Sequence, residues 1–322
     1  MWANDHISKL IMTEIIVSPA AIATAEPVQR MADVTGTAQL VALWLHGKTI
    51  QSQKTYEKDV RYFAAFLLGQ KADQVRLNDL DLRTVTLNDL QAYADFMETK
   101  GLAAASRKRR LCSIKSLLGF GYEIEYLRYN AGLKLSTPKP KDTLAERILN
   151  ELEVATMIAL TTVVRDRLLL RFFYATGARV SEVQALKWKD IRPNRDGNGQ
   201  VTLFGKGDKT RVVIIPGKLY QELVKFGNKA HADSPVFVSR QKGEALKARQ
   251  IENIVSDAGK RAGIQGKVSP HWLRHSHASH SLDRGCPPQL LQHTLGHSSL
   301  DTTSKYAHAK PNDSSSLYVM SM

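Results

Sequence analysis

Apolar side chains recur every three to four residues along successive stretches of the chain, and each recurrence marks one face of a helix. Tyr56, Val60, Phe63 and Leu67 share a face, as do Leu87, Leu90, Ala94 and Met97, and then Leu111, Ile114, Leu118 and Tyr122. With the apolar run Leu40 to Leu45, the pattern predicts a bundle of about four helices between Thr37 and Tyr129. Residues 1–36 carry no sustained period and read as a loosely ordered arm. The stretch from Leu135 to Asp142 holds two prolines and three charges, which is linker composition.

Beyond it, helices are expected at Glu151 to Leu160 and at Arg165 to Thr176, the second stopped by Gly177. Val201–Phe204 and Arg211–Ile215 are short runs rich in β-branched residues, joined by the glycine-containing segment Gly205 to Thr210, and they read as an antiparallel hairpin. Helices then return as far as Tyr306. The expected fold is mainly α with a small antiparallel β-sheet, in two domains. The expected divisions are an arm over 1–36, a helical domain over 37–134, a linker over 135–143, and a second domain with a C-terminal tail over 144–322.

Charge narrows the choice of partner. Lys and Arg outnumber Asp and Glu by 45 to 31, a formal net charge of +14, which suits a polyanion: nucleic acid first, an anionic membrane surface behind it. No run approaches the ~18 apolar residues of a membrane span, and Thr13 with Glu14 interrupts the apolar stretch from Leu10 to Ala25 that a secretory leader would need. Cys112 and Cys286 lie far apart in no metal-ligand spacing, which fits a reducing cytoplasm. The densest basic cluster, Arg107-Lys108-Arg109-Arg110, reads as the opening turn of a helix with Ser106 as N-cap, where four cations oppose the helix dipole unless a phosphate lies nearby. These four, with Lys115 further along, are the DNA-binding candidates.

Candidate chemistry gathers in the second domain. In Ser269-Pro270-His271-Trp272-Leu273-Arg274-His275, serine and proline are suited to start a helix, which puts His271 in its first turn and Arg274 on the same face. An imidazole and a guanidinium beside a helix N-terminus favour a bound phosphate. His271 and His275 have the spacing of a zinc-protease helix, but Trp272 stands where that motif needs Glu, so no metal is expected. His275, His277 and His280 read as structural histidines. Leu295-Gly296-His297 ends one helix at its glycine, and Ser298 to Asp301 is a capping-box start for the next, which carries Tyr306. Upstream, Arg179 follows a helix-ending glycine and Lys206 sits at the hairpin tip.

The order Arg, Lys, His-x-x-Arg, His, Tyr resembles the tyrosine recombinase and phage integrase family over nearly the whole chain past the arm. The family's Gly-x-Arg-x-Ser-Glu is matched by Gly177 to Glu182, its Gly-Lys-Gly by Gly205 to Gly207, and its His-x-Leu-Arg-His by His271 to His275. Its Leu-Gly-His followed nine residues later by Tyr is matched by Leu295 to His297 and Tyr306. His277, Ser281 and Ala178 depart from the bulkier apolar residues common in the family. The short arm makes the chain similar to the Xer recombinases rather than to integrases with a separate arm-site domain.

The resemblance implies two domains that clamp DNA, and a cut made by Tyr306, which attacks a phosphodiester to leave a 3′-phosphotyrosine. It implies that Arg179, Arg274 and His297 stabilise the phosphorane, His271 serves as base, Lys206 protonates the leaving 5′ hydroxyl and Glu182 supports the site. Cofactors are expected to be none, since the phosphotyrosine conserves the bond energy. The expected partners are duplex DNA bearing a specific recombination site and, in the synaptic complex, three further copies of the chain, the tail from Asn312 to Met322 being a candidate for contact between copies. The expected location is the cytoplasm, on the nucleoid. Two rival readings are a type IB topoisomerase-like relaxing enzyme and a DNA-binding protein without catalysis.

Overall fold

The computed structural model describes residues 33–205, 210–228, 230–240, 243–297, 299, 303 and 306. They fall into two compact units, one ending at Lys141 and the other beginning at Asp142.

The first unit is built on four helices, α1 (Thr37–Leu45), α2 (Ile50–Leu68), α3 (Leu87–Thr99) and α4 (Ala104–Glu123). Local signals set their ends. Gly69 turns left-handed at φ 62° to stop α2, and Thr86 with Asp89 forms a capping box at the start of α3. The predicted faces meet in one core, where Val60, Phe63, Leu90, Met97 and Ile114 are buried. Tyr122, in the last turn of α4, is exposed rather than buried with the face predicted for it. Ser106 is not the N-cap expected of it. The helix begins at Ala104 after Ala103, so the basic cluster occupies the second turn, where the helix dipole opposes cations less. Of the predicted arm only Asp33 to Gly36 is described, and there Val34 joins the core. Leu135 is buried in that core too.

The second unit wraps helices around a three-stranded antiparallel sheet. Its elements are α5 (Glu151–Ala159), α6 (Val164–Thr176), α7 (Val180–Ala185), β1 (Ile191–Pro193), β2 (Gly199–Phe204), β3 (Thr210–Ile215), α8 (Gly217–Gly227), α9 (Ala248–Arg261), α10 (Pro270–Asp283) and α11 (Pro288–Leu295). The sheet order is β1-β2-β3, with Val201 opposite Val213 and Leu203 opposite Arg211. The hairpin was legible in sequence; β1 was not, being three residues long with Pro193 inside it. Phe172, Phe173, Val201, Leu203 and Ile215 are among the residues that close the core. Ser269 stands at the N-cap of α10 as expected, although its side chain makes no capping bond.

Two glycines set the geometry around the unit's polar centre. Gly177 ends α6 at φ 58°, and Gly296 ends α11 at φ 64°. Both conformations disfavour any side chain, and at Gly177 a Cβ would also collide with Leu295 Cδ2. Gly177→Ala is therefore expected to destabilise the protein by about 2 kcal/mol or more, from strain and overpacking together; the check is the shift in the denaturation midpoint of the full chain.

Candidate active site

The tight turn at Gly177 places Arg179 at the start of α7, one turn before Glu182. Glu182 is almost wholly buried, and an unpaired carboxylate in that position would be strongly unfavourable. Four donors meet it. The Arg179 backbone N–H reaches Oε2 at 2.7 Å and its guanidinium reaches Oε1 at 3.0 Å. Arg211, from the inward face of β3, donates to both oxygens at 2.5 and 2.8 Å. Burial pushes the Glu182 pKa up, but the bonds from Arg211 and Arg179 outweigh it and hold the carboxyl below its ordinary range.

The arginines also face the ends of two helices. Arg274, on α10, donates to the Gly177 carbonyl at 2.5 Å and to the Leu295 carbonyl at 2.8 Å. Arg179 donates to the Gly296 carbonyl at 3.0 Å, and Arg211 Nε to the Thr294 carbonyl at 2.6 Å. These are the carbonyls that helices α6 and α11 leave without intrahelical partners, at the negative ends of their dipoles. Three cations thus converge on one carboxylate and two helix C-termini, an arrangement that leaves spare N–H donors and a surplus of positive charge.

Tyr306 lies beside this centre, buried against Ala278, Leu291 and Leu295. Its Oη is 2.8 Å from His275 Nδ1, and its ring is nearly parallel to that of His297, with centroids 6.2 Å apart. His297 Nδ1 is in turn 2.9 Å from Thr303 Oγ1. Loss of hydration and the surrounding cations shape every titration here. Burial, then His271 and Arg274, pushes the His275 pKa down to about 4. Burial, then Arg274, Arg179 and Arg211, pushes His297 down to about 4 as well. Arg274 itself falls to about 10, through burial and the neighbouring Arg179 and Arg211, while burial raises Tyr306. His271 is at the exposed rim, its ring centroid 6.3 Å from that of His275; loss of hydration on its inner side, then Arg274 and Arg179, lowers its pKa.

A tyrosine held by a histidine in a field of arginines is suited to phosphoryl chemistry, and comparison with known proteins agrees. The model of the phage integrase family matches residues 145–313, more than half of the chain. The chain belongs to the phage integrase family. It is a site-specific tyrosine recombinase, similar to the Xer enzymes. It is 27% identical over 278 residues to tyrosine recombinase XerD of Listeria monocytogenes serotype 4b (strain F2365), covering 81% of this chain and 89% of that one. It is 30% identical over 278 residues to tyrosine recombinase XerC of Staphylococcus aureus, covering 83% and 88%. Its fold is similar to that of the XerH site-specific recombinase in a crystal structure of the pre-cleavage complex with difH substrate, with a TM-score of 0.62, 24% identity and coverage of 85% and 82%.

Of the residues singled out in the recombinase's sequence, Arg179, Glu182, Arg274, His297 and Tyr306 are gathered in one site, with His271 at its edge. Lys206, the capping segment from Ser298 to Asp301 and the tail from Asn312 lie outside the described residues, apart from Ser299. Two participants were missed. His275, read as a structural histidine, is the one bonded to Tyr306, whereas His277 and His280 do bond to Tyr174, at its carbonyl and its hydroxyl. Arg211 was passed over entirely, though a signal was there: it shares strand parity with the buried Val213 and Ile215, so a charge falls on the inner face.

In the first unit the basic cluster is not four free cations. Arg107 pairs with Glu98 at 2.8 Å, Arg109 pairs with the buried Asp59, and the Arg110 guanidinium lies 4.0 Å from the centroid of the Tyr62 ring. Lys108 is exposed, and Lys115 donates to the Leu135 carbonyl at 2.5 Å.

The depressed histidines make a sign-specific prediction. The unfolded chain takes up protons near the ordinary histidine pKa of 6.5, while folded His275 and His297 refuse them until about 4. Stability from these groups is therefore full above 6.5 and is lost as pH falls toward 4. NMR titration of the free protein should place both imidazole midpoints near 4, and midpoints at the ordinary value would contradict the described burial.

Proposed function

We propose that this recombinase cuts duplex DNA at a specific site through attack of Tyr306 Oη on a phosphodiester, holds the cut end as a 3′-phosphotyrosine, and rejoins it to a 5′ hydroxyl from another strand. The observation that carries the reading is the bond of 2.8 Å between Tyr306 Oη and His275 Nδ1, beside the anchored guanidiniums of Arg179 and Arg274.

The chemistry follows from charge. Attack by a phenol generates a phosphorane with extra negative charge on its non-bridging oxygens, and stabilising it is the main catalytic task. Arg274 spends two of its five N–H donors on carbonyls and keeps the rest for those oxygens. Arg179 offers its own spare donors. Neutral His297, with Nδ1 accepting from Thr303, presents Nε2–H as a further donor. Burial keeps Tyr306 protonated, so its proton must leave as the P–O bond forms, and neutral His275 is placed to accept it. In this reading His275 takes the role that sequence resemblance gives His271, and His271 stays at the rim as a phosphate donor. Lys206, in the segment that links β2 to β3 in sequence, protonates the departing 5′ oxygen.

The helical unit supplies DNA contacts through Lys108 and Arg109, with Arg107, Arg110 and Lys115 holding the α4 surface in shape, and the two units clamp the duplex. Four copies assemble on two duplexes for strand exchange, in the cytoplasm on chromosomal DNA. Whether the outcome is integration, excision or dimer resolution depends on the target and on accessory proteins.

The deciding experiment is a covalent trap: incubate the protein with nicked genomic fragments, denature, and sequence the DNA that stays attached. Adducts enriched at one sequence and lost in Tyr306→Phe are expected; adducts that persist in the variant would remove Tyr306 as nucleophile. Separately, Lys108→Gln with Arg109→Gln should weaken binding to all duplexes alike and lower the salt slope by about 1 for each phosphate no longer neutralised. An unchanged slope would take α4 out of the interface.

A further inference from the structure

Arg211 is a buried cation on the inward face of β3, five positions beyond Lys206 in sequence, and its side chain is only 6% exposed. Its whole fork is engaged. Two nitrogens hold both oxygens of Glu182, and Nε holds the Thr294 carbonyl in the last turn of α11. Glu182 passes that constraint to Arg179, whose backbone and guanidinium it also binds. Thr294 leads directly into Gly296 and His297, and the Arg211 side chain packs so closely on Gly296 that a Cβ there would stand 3.3 Å from its Cδ.

From this geometry we infer that Arg211 is a positioning residue for strand cleavage: it sets where the Arg179 guanidinium and the His297 imidazole stand, without itself touching the phosphate. The inference rests on the reading of Arg179 and His297 as the groups that grip the scissile phosphate. A lysine could keep the charge, but its single ammonium cannot make the forked pair with Glu182 and also reach Thr294 from a second nitrogen. Glu182 would then be held by Arg179 and one ammonium, and Arg179 would be drawn inward to satisfy the buried carboxylate. The tie to α11 would be broken at the same time.

The test uses the full-length protein and the target duplex recovered by covalent trapping, with the first-order rate of DNA attachment measured for wild type and Arg211→Lys. Each is run on the natural phosphodiester and on a duplex whose scissile phosphate is a methylphosphonate, where a methyl group replaces one charged oxygen and lowers the demand for Arg179. On the phosphodiester, Arg211→Lys should be slower by about 10²-fold, the scale of an ångström-sized misplacement, with DNA affinity unchanged. On the methylphosphonate the wild-type and variant rates should converge. Equal rates on the phosphodiester would overturn the inference, and so would equal slowing on both substrates, which marks a merely structural loss. If the wild type forms no adduct, it is the function of Tyr306 that fails; if it does and Arg211→Lys matches it, only the role of Arg211 fails. Should Arg211→Lys not fold, as judged by circular dichroism, Glu182→Gln breaks the same link from the other side and must show the same dependence on substrate charge.

Discussion

A single buried carboxylate organises the second unit's polar centre. Glu182 has no exposed side-chain surface, so its charge must be met from within, and the donors that meet it come from the start of α7 and from β3. Removing any one of them leaves the others, but removing the carboxylate would leave Arg179 and Arg211 close together with nothing between them. The cost of an uncompensated buried charge is what fixes this geometry. Through Arg179 and Arg211 the constraint reaches the carbonyls of Gly296 and Thr294, and so the turn that carries His297.

The same arrangement leaves the centre short of negative charge. Three guanidiniums share one carboxylate and the negative ends of two helices, and burial together with this surplus of cations lowers Arg274 to about 10 and His275 and His297 to about 4. Such a site is held ready for an anion. In the proposed reaction a bound phosphodiester would offset the cationic part of these shifts, leaving the part due to burial. The glycines at 177 and 296 matter because their left-handed turns let the helices end there and aim their free carbonyls at the arginines.

The first unit handles charge differently. Its basic cluster lies on a helix whose interior face is apolar, and most of its cations are already tied to Glu98, Asp59 or the ring of Tyr62. Those ties hold long, flexible side chains in place, which in the proposed DNA contact lowers the entropic cost of binding. They also reduce the number of cations free for phosphate, which composition alone overstates.

Much of the fold was legible in the sequence because helix faces, glycine stops and strand alternation are local: the faces of α2, α3 and α4, the ends at Gly177 and Gly296, and the hairpin strands all follow from residues a few positions apart. Arg179, Glu182, Arg274, His297 and Tyr306 were singled out through the family resemblance that their order and spacing carry. What local pattern could not supply was which side chains meet across the fold. Residues three and four apart on α10 share a face, so His271 and Arg274 drew attention together, yet it is His275, 31 positions away, that is bonded to Tyr306. Arg211 and Glu182 are 29 residues apart and join only because β3 packs beside α7 and α11. The helices, the hairpin and the stock of phosphate-seeking groups depend on short-range sterics and composition, so they could be read along the chain. Which histidine holds the tyrosine and which arginine holds the carboxylate is settled by packing across the fold, because burial makes pairing obligatory and packing alone chooses the partner.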